Sequence, residues 1–448
     1  MECISLNRLA ISLSRVVFQI GLVAAVLLSC ISSQTCIAET ATGMTPESGR
    51  LLRVGTSGDY PPFSDAMDEA PGFRGFDVDV ASAFARDRGY ELAWVRFRWP
   101  VLAAGLSTDR FDLAMSGVTV RPDRSALGRF SVPVLESGAV LLFREAALTF
   151  PIGAIAHGGA HTASNLDRPG MTIAVNRGGH LERVARAEFS RADVMTISDN
   201  AMVREALVSG AVNAVLTDTI EAPVWRKGLD DVLQTAPITQ DWKAYWVAPQ
   251  NEALSRELDA WLLAKERDGT LSRLRVAHFG SGNDRPTAAP VGALLAAIDE
   301  RLALMPWVAE SKRITGRAVE DLAQEERVLA AAVSGVDAAA ARADVAPPNA
   351  KVVRAFYRAQ IEAAKEIQRM TLGGPVSREA QGTDLSDVLR PALIRVGDRL
   401  AQLVVAVHED GSATLSAGQV RDRLRSHGLS GATVSELERT IEALSSGD

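Results

Sequence analysis

The sequence predicts a multidomain protein, with a two-lobed α/β region followed by an all-α helical bundle. Two observations carry this. From Leu51 to about Phe279, short apolar strands alternate with amphipathic helices, the pattern of parallel sheets packed between helices. Beyond Pro290 strand signals fade, and Ala, Leu, Glu and Arg recur at helical spacing. At 448 residues the chain can hold two to three domains with sizeable cores.

The first forty residues stand apart. Arg8 and Arg15 precede an apolar stretch from Val16 to Leu28, and Cys36-Ile37-Ala38 forms a small-residue cleavage pattern. This reads as a signal peptide over residues 1–38, cut near Ala38, which would place the mature chain in the periplasm. The apolar stretch is shorter than the roughly 20 residues of a membrane span, so no membrane contact is expected unless Leu27-Leu28-Ser29-Cys30 directs lipidation at Cys30. Cys3, Cys30 and Cys36 all lie in this leader, so a mature chain would have no disulfide and no thiolate metal site. The histidines show no metal spacing, and no metal or cofactor is expected. A net charge of −7 argues against nucleic-acid binding, so an anionic substrate would need local positive charge.

Within the α/β region, Leu51–Val54, Asp112–Met115, Met171–Val175 and Ala214–Leu216 read as strands and Asp77–Arg88 as a helix. The strand–helix series near 51–145 and 170–235 suggest two lobes, with the Gly-rich stretch Gly153–Gly159 between them and a ligand cleft at their junction. Residues 281–290 carry linker chemistry. Helices are expected near 291–314, 319–334, 348–372 and 384–405, with shorter ones near 416–427 and 433–445.

Three segments of the first region suit an acidic ligand. Gly58-Asp59-Tyr60-Pro61-Pro62-Phe63 places a carboxylate and aromatics after a strand, where α/β sheets bind ligands. Ser116-Gly117-Val118-Thr119 through Arg124 offers free N–H groups, a hydroxyl and a guanidinium, which together can grip a carboxylate. Asn176-Arg177-Gly178-Gly179-His180 lets backbone approach an anion at a helix start. With Gly75-Phe76-Asp77-Val78-Asp79, Trp99, Phe111-Asp112 and Phe130-Ser131-Val132-Pro133, these segments resemble the family-3 bacterial solute-binding proteins over about 230 residues. The resemblance implies a periplasmic-binding-protein-like fold over 51–280, with Thr119 and Arg124 holding a carboxylate and Tyr60 and Trp99 walling the cleft.

Thr217-Asp218-Thr219-Ile220-Glu221 and Trp242-Lys243-Ala244-Tyr245 narrow this. With Thr56–Tyr60 and Asn176–Gly179 they resemble cyclohexadienyl dehydratase, an enzyme built on the same fold. That resemblance implies loss of water and carbon dioxide from prephenate, giving phenylpyruvate, or from arogenate, giving phenylalanine. Glu221 would be the general acid, its pKa raised by desolvation. Lys243, Arg124 and Arg177 would balance the substrate carboxylates, Asp59 and Asn176 would position the hydroxyl or ring, and Gly179 would contact the substrate. His180 and Trp242 depart from the family, which often has a hydroxyl residue and an acidic residue there.

In the helical region, Arg301 and Lys312 lie eleven residues apart, about three turns, so both can face one side, and Pro306 between them is a kink site. Glu320-Asp321, Gln324-Glu325, the run Gln360-Ile361-Glu362-Ala363-Ala364-Lys365 to Gln368, and Asp384 to Arg390 follow. Together they resemble the secreted, gamma-type, all-helical chorismate mutases, covering 291–448. By that resemblance Arg301, Lys312 and Arg390 would grip chorismate, Lys312 and Gln368 would serve the ether oxygen, and Asp321 and Glu325 would meet the hydroxyl. Gln324 stands where that family usually has an arginine, with Arg327 one turn on. Such a rearrangement needs no nucleophile, only a held conformer and cations or amides at the ether oxygen.

The expected function is therefore bifunctional, chorismate to prephenate to phenylpyruvate. The alternative is a periplasmic amino-acid-binding transport protein with a non-catalytic helical appendage. Homo-oligomerisation is left open.

Overall fold

The computed structural model describes residues 50–67, 72–144, 162–376, 383–411 and 418–446. The expected signal peptide, Cys30 and Gly153–Gly159 lie outside them. Residues from Gly49 onward form one compact unit: an α/β part over about 50–280 and then a helix-rich part. No helix among the described residues is long and apolar enough to cross a membrane.

Two five-stranded sheets make the lobes. The first runs Tyr90–Arg96, Arg50–Thr56, Leu113–Ala114, Trp246–Val247, Arg129–Phe130. Its first three strands are parallel, with Arg50 opposite Tyr90 and Thr56 opposite Arg96. Trp246–Val247 lies antiparallel to both neighbours. The second runs Asp193–Ile197, Thr172–Asn176, Ala214–Asp218, Ala139–Arg144, Val232–Gln234, again three parallel strands and then an antiparallel one. Its central strands Ala139–Arg144 and Ala214–Asp218 are almost wholly buried, as strands packed on both faces should be. The helix Phe76–Arg88 carries Asp77 and Asp79 in its first turn and stops at left-handed Gly89, where φ is 69°.

The lobe boundary differs from expectation. Ala139–Arg144 belongs to the second sheet, not to the first series, and the chain returns to the first lobe at Trp246. It crosses between lobes twice, as Leu135–Ser137 and as Asp241–Lys243, and these crossings pair antiparallel with Trp242 opposite Glu136 and Lys243 opposite Leu135.

The helical part holds Pro290–Ala303, Met305–Thr315, Leu322–Ala343, Ala350–Gly373, Arg390–Asp410, Gln419–Arg423 and Gly431–Ser446. The first expected helix is broken at Leu304, with Pro306 in the opening turn of its second piece, where proline's missing N–H costs nothing. The next helix runs on to Ala343, because the Ala-rich stretch 338–343 has high helix propensity. One π-helical turn, Leu385–Leu389, leads into the helix at Arg390.

The apolar core of the first lobe is continuous with that of the helical part: Val132, Val134, Leu258, Leu294, Ile298 and Leu403 share one cluster. The second lobe has separate cores, around Ile173 and Leu216 and around Val215 and Trp225. Polar contacts reinforce the junction. Arg395 donates to the carbonyls of Ser125, Ala126 and Gly128, and Arg399 of the buried pair Arg399–Glu300 also donates to Phe130 O. Breaking such a pair exposes the survivor's desolvation cost.

Candidate active site

A cleft opens where the lobes meet. Tyr60, Trp99, Gly117, Thr119 and Arg124 line it from the first lobe. Asn176, Gly179, His180, Leu181, Asn200 and Glu221 line it from the second, and Lys243 comes from the returning crossing. Most follow the C-terminal ends of parallel strands. Thr119 comes after Leu113–Ala114, Asn176 ends Thr172–Asn176, and Glu221 lies three residues past Asp218.

Glu221 is fully buried. Its Oε1 accepts from Asn200 Nδ2 at 2.7 Å and its Oε2 from Thr217 Oγ1 at 2.7 Å. Burial, with the Asp218 charge beside it, holds this carboxyl well above the usual range. Asp218 behaves oppositely despite its own burial. Lys243 and the Tyr60 hydroxyl keep it ionised, below its ordinary value. Lys243 Nζ lies 3.0 Å from Asp218 Oδ2, from Tyr60 Oη and from Thr119 Oγ1. The pKa values of two adjacent carboxyls are thus pushed in opposite directions, Glu221 up and Asp218 down. Arg124 is 4 % exposed and donates to Thr119 O at 2.9 Å, leaving other N–H groups to bind an anion. Burial and repulsion from Arg121 hold its pKa well below the ordinary arginine value. The Tyr60 and Trp99 rings meet edge to face at 5.8 Å.

Eight residues singled out in the sequence share this cleft: Tyr60, Trp99, Thr119, Arg124, Asn176, Gly179, Glu221 and Lys243. Asp59 stands behind them. Its Oδ1 accepts from Trp99 Nε1 at 3.3 Å and its carbonyl from Asn200 Nδ2 at 3.2 Å. Arg177 is exposed, with its Nε 3.4 Å from Thr196 Oγ1, outside the cleft lining. Sequence reasoning missed Asn200 and the role of Asp218. Asp199 caps the helix that Asn200 opens, so the capping residue marked the spot without revealing which way Asn200 faces. His180 Nε2 lies 3.0 Å from Asp241 Oδ2 at the cleft wall.

Residues 52–281 match the bacterial extracellular solute-binding proteins, family 3, over half of the chain. The chain belongs to that family. Among family-3 relatives, cyclohexadienyl dehydratase of Pseudomonas aeruginosa is 37% identical over 52% of this chain and 83% of its own length. The L-cystine-binding protein TcyJ of Escherichia coli K12 is 28% identical over 58% of this chain and 94% of its own. A solved ancestral amino-acid-binding protein, described as a precursor of cyclohexadienyl dehydratase, is 29% identical, covering 51% of this chain and 95% of that one with a TM-score of 0.46.

The helical part lies beyond the family-3 match and gathers a second set of polar groups. Arg301 donates to Gln360 O at 3.2 Å, and burial lowers its pKa. Lys312 donates to Val319 O at 3.0 Å. Burial lowers its pKa, Asp321 and Glu325 oppose that, and Arg390 adds to it, so these charges share one neighbourhood. Among the described residues, Gln368 Nε2 meets only the weak acceptor Met305 Sδ, at 3.7 Å. Both amide atoms of Gln360, Gln368 Oε1, Glu325 Oε1 and the Tyr357 hydroxyl are buried without a hydrogen-bond partner among the described residues. Tyr357, Gln360, Ala364 and Gln368 lie on one face of the Ala350–Gly373 helix. Asp321 instead caps the Leu322–Ala343 helix, accepting from Gln324 N at 2.9 Å, and is exposed. Gln324 accepts from exposed Arg327 at 2.8 Å, so Arg327 is engaged with Gln324 rather than replacing it. Glu325 Oε2 pairs with Lys365 at 3.2 Å, and Arg390 is exposed at its helix start.

Proposed function

We propose that this chain is an exported enzyme that turns chorismate into phenylpyruvate, by a chorismate mutase in residues 291–448 and a prephenate dehydratase in residues 51–280. Residues 1–38 would be the signal peptide and 281–290 the linker, and the same cleft could take arogenate to phenylalanine. The observation that carries the reading is Glu221, a fully buried carboxyl in the same cleft as Arg124 and Lys243, its pKa raised well above the ordinary value by burial and the Asp218 charge. Similarity to a cyclohexadienyl dehydratase supports it.

Prephenate carries two carboxylates and a hydroxyl at C4 of its ring. Arg124 and Lys243 attract the carboxylates, and Tyr60 and Trp99 enclose the ring. Glu221 protonates the C4 hydroxyl, since hydroxide leaves poorly. The C4–O bond breaks and water departs. The bond from C1 to the ring carboxylate breaks, carbon dioxide leaves, and that electron pair completes the aromatic ring. Glu221 is then a carboxylate and takes a proton from solvent, so one proton is consumed per turnover.

The mutase reading rests on the cations Arg301 and Lys312 together with the Gln360 amide and the Gln368 Oε1, which are buried without a hydrogen-bond partner among the described residues. Lys312 and Gln368 would donate to the ether oxygen as its bond to the ring breaks and a new carbon–carbon bond forms. Gln368 gives up only a weak sulfur contact to do so.

The test supplies purified protein with chorismate and, separately, with prephenate. Phenylpyruvate from both is the expected result. Turnover of prephenate alone removes the mutase. No turnover of either, with tight binding of a free amino acid, replaces the reading with a transport-type binding protein.

A further inference from the structure

We propose that the helical part completes the scaffold of the cleft, with Trp242, Asp299 and Arg423 acting as positioning residues for Lys243. This rests on the dehydratase reading of the cleft.

The argument starts from strand geometry. Side chains alternate along a strand, so Lys243 and Trp242 leave the Asp241–Lys243 crossing on opposite faces. Lys243 enters the cleft. Trp242 is 4 % exposed, and the helical part covers it. Its indole N–H donates to Asp299 Oδ2 at 3.0 Å, and Asp299 Oδ1 is held by His427 Nε2 at 2.6 Å. The Arg423 guanidinium lies 4.0 Å from the Trp242 ring centroid and also pairs with Glu136, directly opposite on the other crossing. One arginine of the helical part therefore clasps both chain crossings on the face away from the cleft.

The crossing is only three residues long, so a shift of the indole is a shift of the strand. Its backbone is shared with cleft-forming segments: Val120 N donates to Trp242 O at 2.9 Å and Val134 N to Lys243 O at 2.8 Å. Lys243 holds three partners at 3.0 Å, a geometry that a displacement of half an ångström would spoil. The clasp gives Trp242 a task that an acidic residue could not perform: an N–H for Asp299 and a face for Arg423.

The test uses the full-length chain with prephenate supplied directly. Trp242→Phe keeps a ring beneath Arg423 and loses the N–H, Asp299→Leu removes the acceptor, and Asp299→Asn keeps an acceptor oxygen. We expect Trp242→Phe and Asp299→Leu each to lower kcat about tenfold with little change in KM, and Asp299→Asn to restore most of it. The alkaline limb of the kcat profile should move to higher pH in the impaired variants. Glu221 faces Asn200, Thr217, Asp218, Tyr60 and Lys243, and of these only Lys243 brings a positive charge that favours its ionised form. Parental kcat and profile in both impaired variants overturn the proposal. So does a loss of activity that merely follows the folded fraction measured by thermal melting. An inactive parent protein overturns the dehydratase reading instead.

Discussion

The cleft and the helical cluster treat buried polar groups in opposite ways. In the cleft nearly every charged or polar group has a protein partner: Lys243 has Asp218, Tyr60 and Thr119, and Glu221 has Asn200 and Thr217. In the helical part Gln360, Gln368, Glu325 and Tyr357 keep buried atoms without one among the described residues. A buried polar atom left unpaired costs about 1–3 kcal/mol. The cleft sets proton positions through internal pairing. The helical cluster keeps unpaired donors and acceptors at a cost to stability, which a polar ligand binding there would offset.

The sharpest way to break this comparison is Glu221→Gln, which keeps an acceptor oxygen for Asn200 Nδ2 and turns an NH2 toward Thr217 Oγ1, now the acceptor, but cannot deliver a proton. Prephenate turnover should fall by about 10²–10⁴, as for loss of a general acid, measured by phenylpyruvate formation. In the parent protein kcat should fall as pH rises through the Glu221 pKa, and that limb should lie at higher pH than an ordinary glutamate would give, because burial and the Asp218 charge raise it. Next comes the junction. Arg399→Met leaves Glu300 buried and unpaired, and should cost about 3–5 kcal/mol by denaturant unfolding. Gln360→Leu goes the other way. Replacing an unpartnered amide by a similar apolar volume should stabilise the fold by about 1–3 kcal/mol, and a lower melting temperature would show that Gln360 is satisfied in solution. The smallest effect concerns Asp259, whose carboxyl burial pushes up to about 7 against the pull of Arg399. Raised above its unfolded value, it contributes stability that is present below about pH 4 and lost as pH rises through 7. Asp259→Asn should therefore narrow the melting-temperature difference between pH 5 and pH 8. Asp77, also at about 7, retains the remainder.

Much of the cleft was legible because its residues follow strand ends in short, chemically marked segments. Tyr60 and Lys243 lie 183 positions apart and still meet at 3.0 Å. What failed to show was non-local. Nothing in Ala139–Arg144 itself says that it pairs antiparallel with Ala214–Asp218 rather than extending the first sheet. Nothing around Trp242 announces Asp299, 57 positions on. Asn200 lay hidden because a residue behind an aspartate cap is ordinarily part of the helix start. In the helical part the periodic pattern placed the helices, but not the ends set by Leu304 and by the alanines up to Ala343.

The clasp on the two crossings also orders the protein in time. Every residue that lines the cleft is synthesised by Lys243, while Arg423 follows 180 positions later. A nascent or proteolysed chain stopping near residue 411 would hold all the chemistry of the cleft and none of the grip of Arg423 on Glu136 and Trp242. A segment made after the lobes thus acts back on them, so the fit of the cleft depends on chain that the cleft itself does not contain.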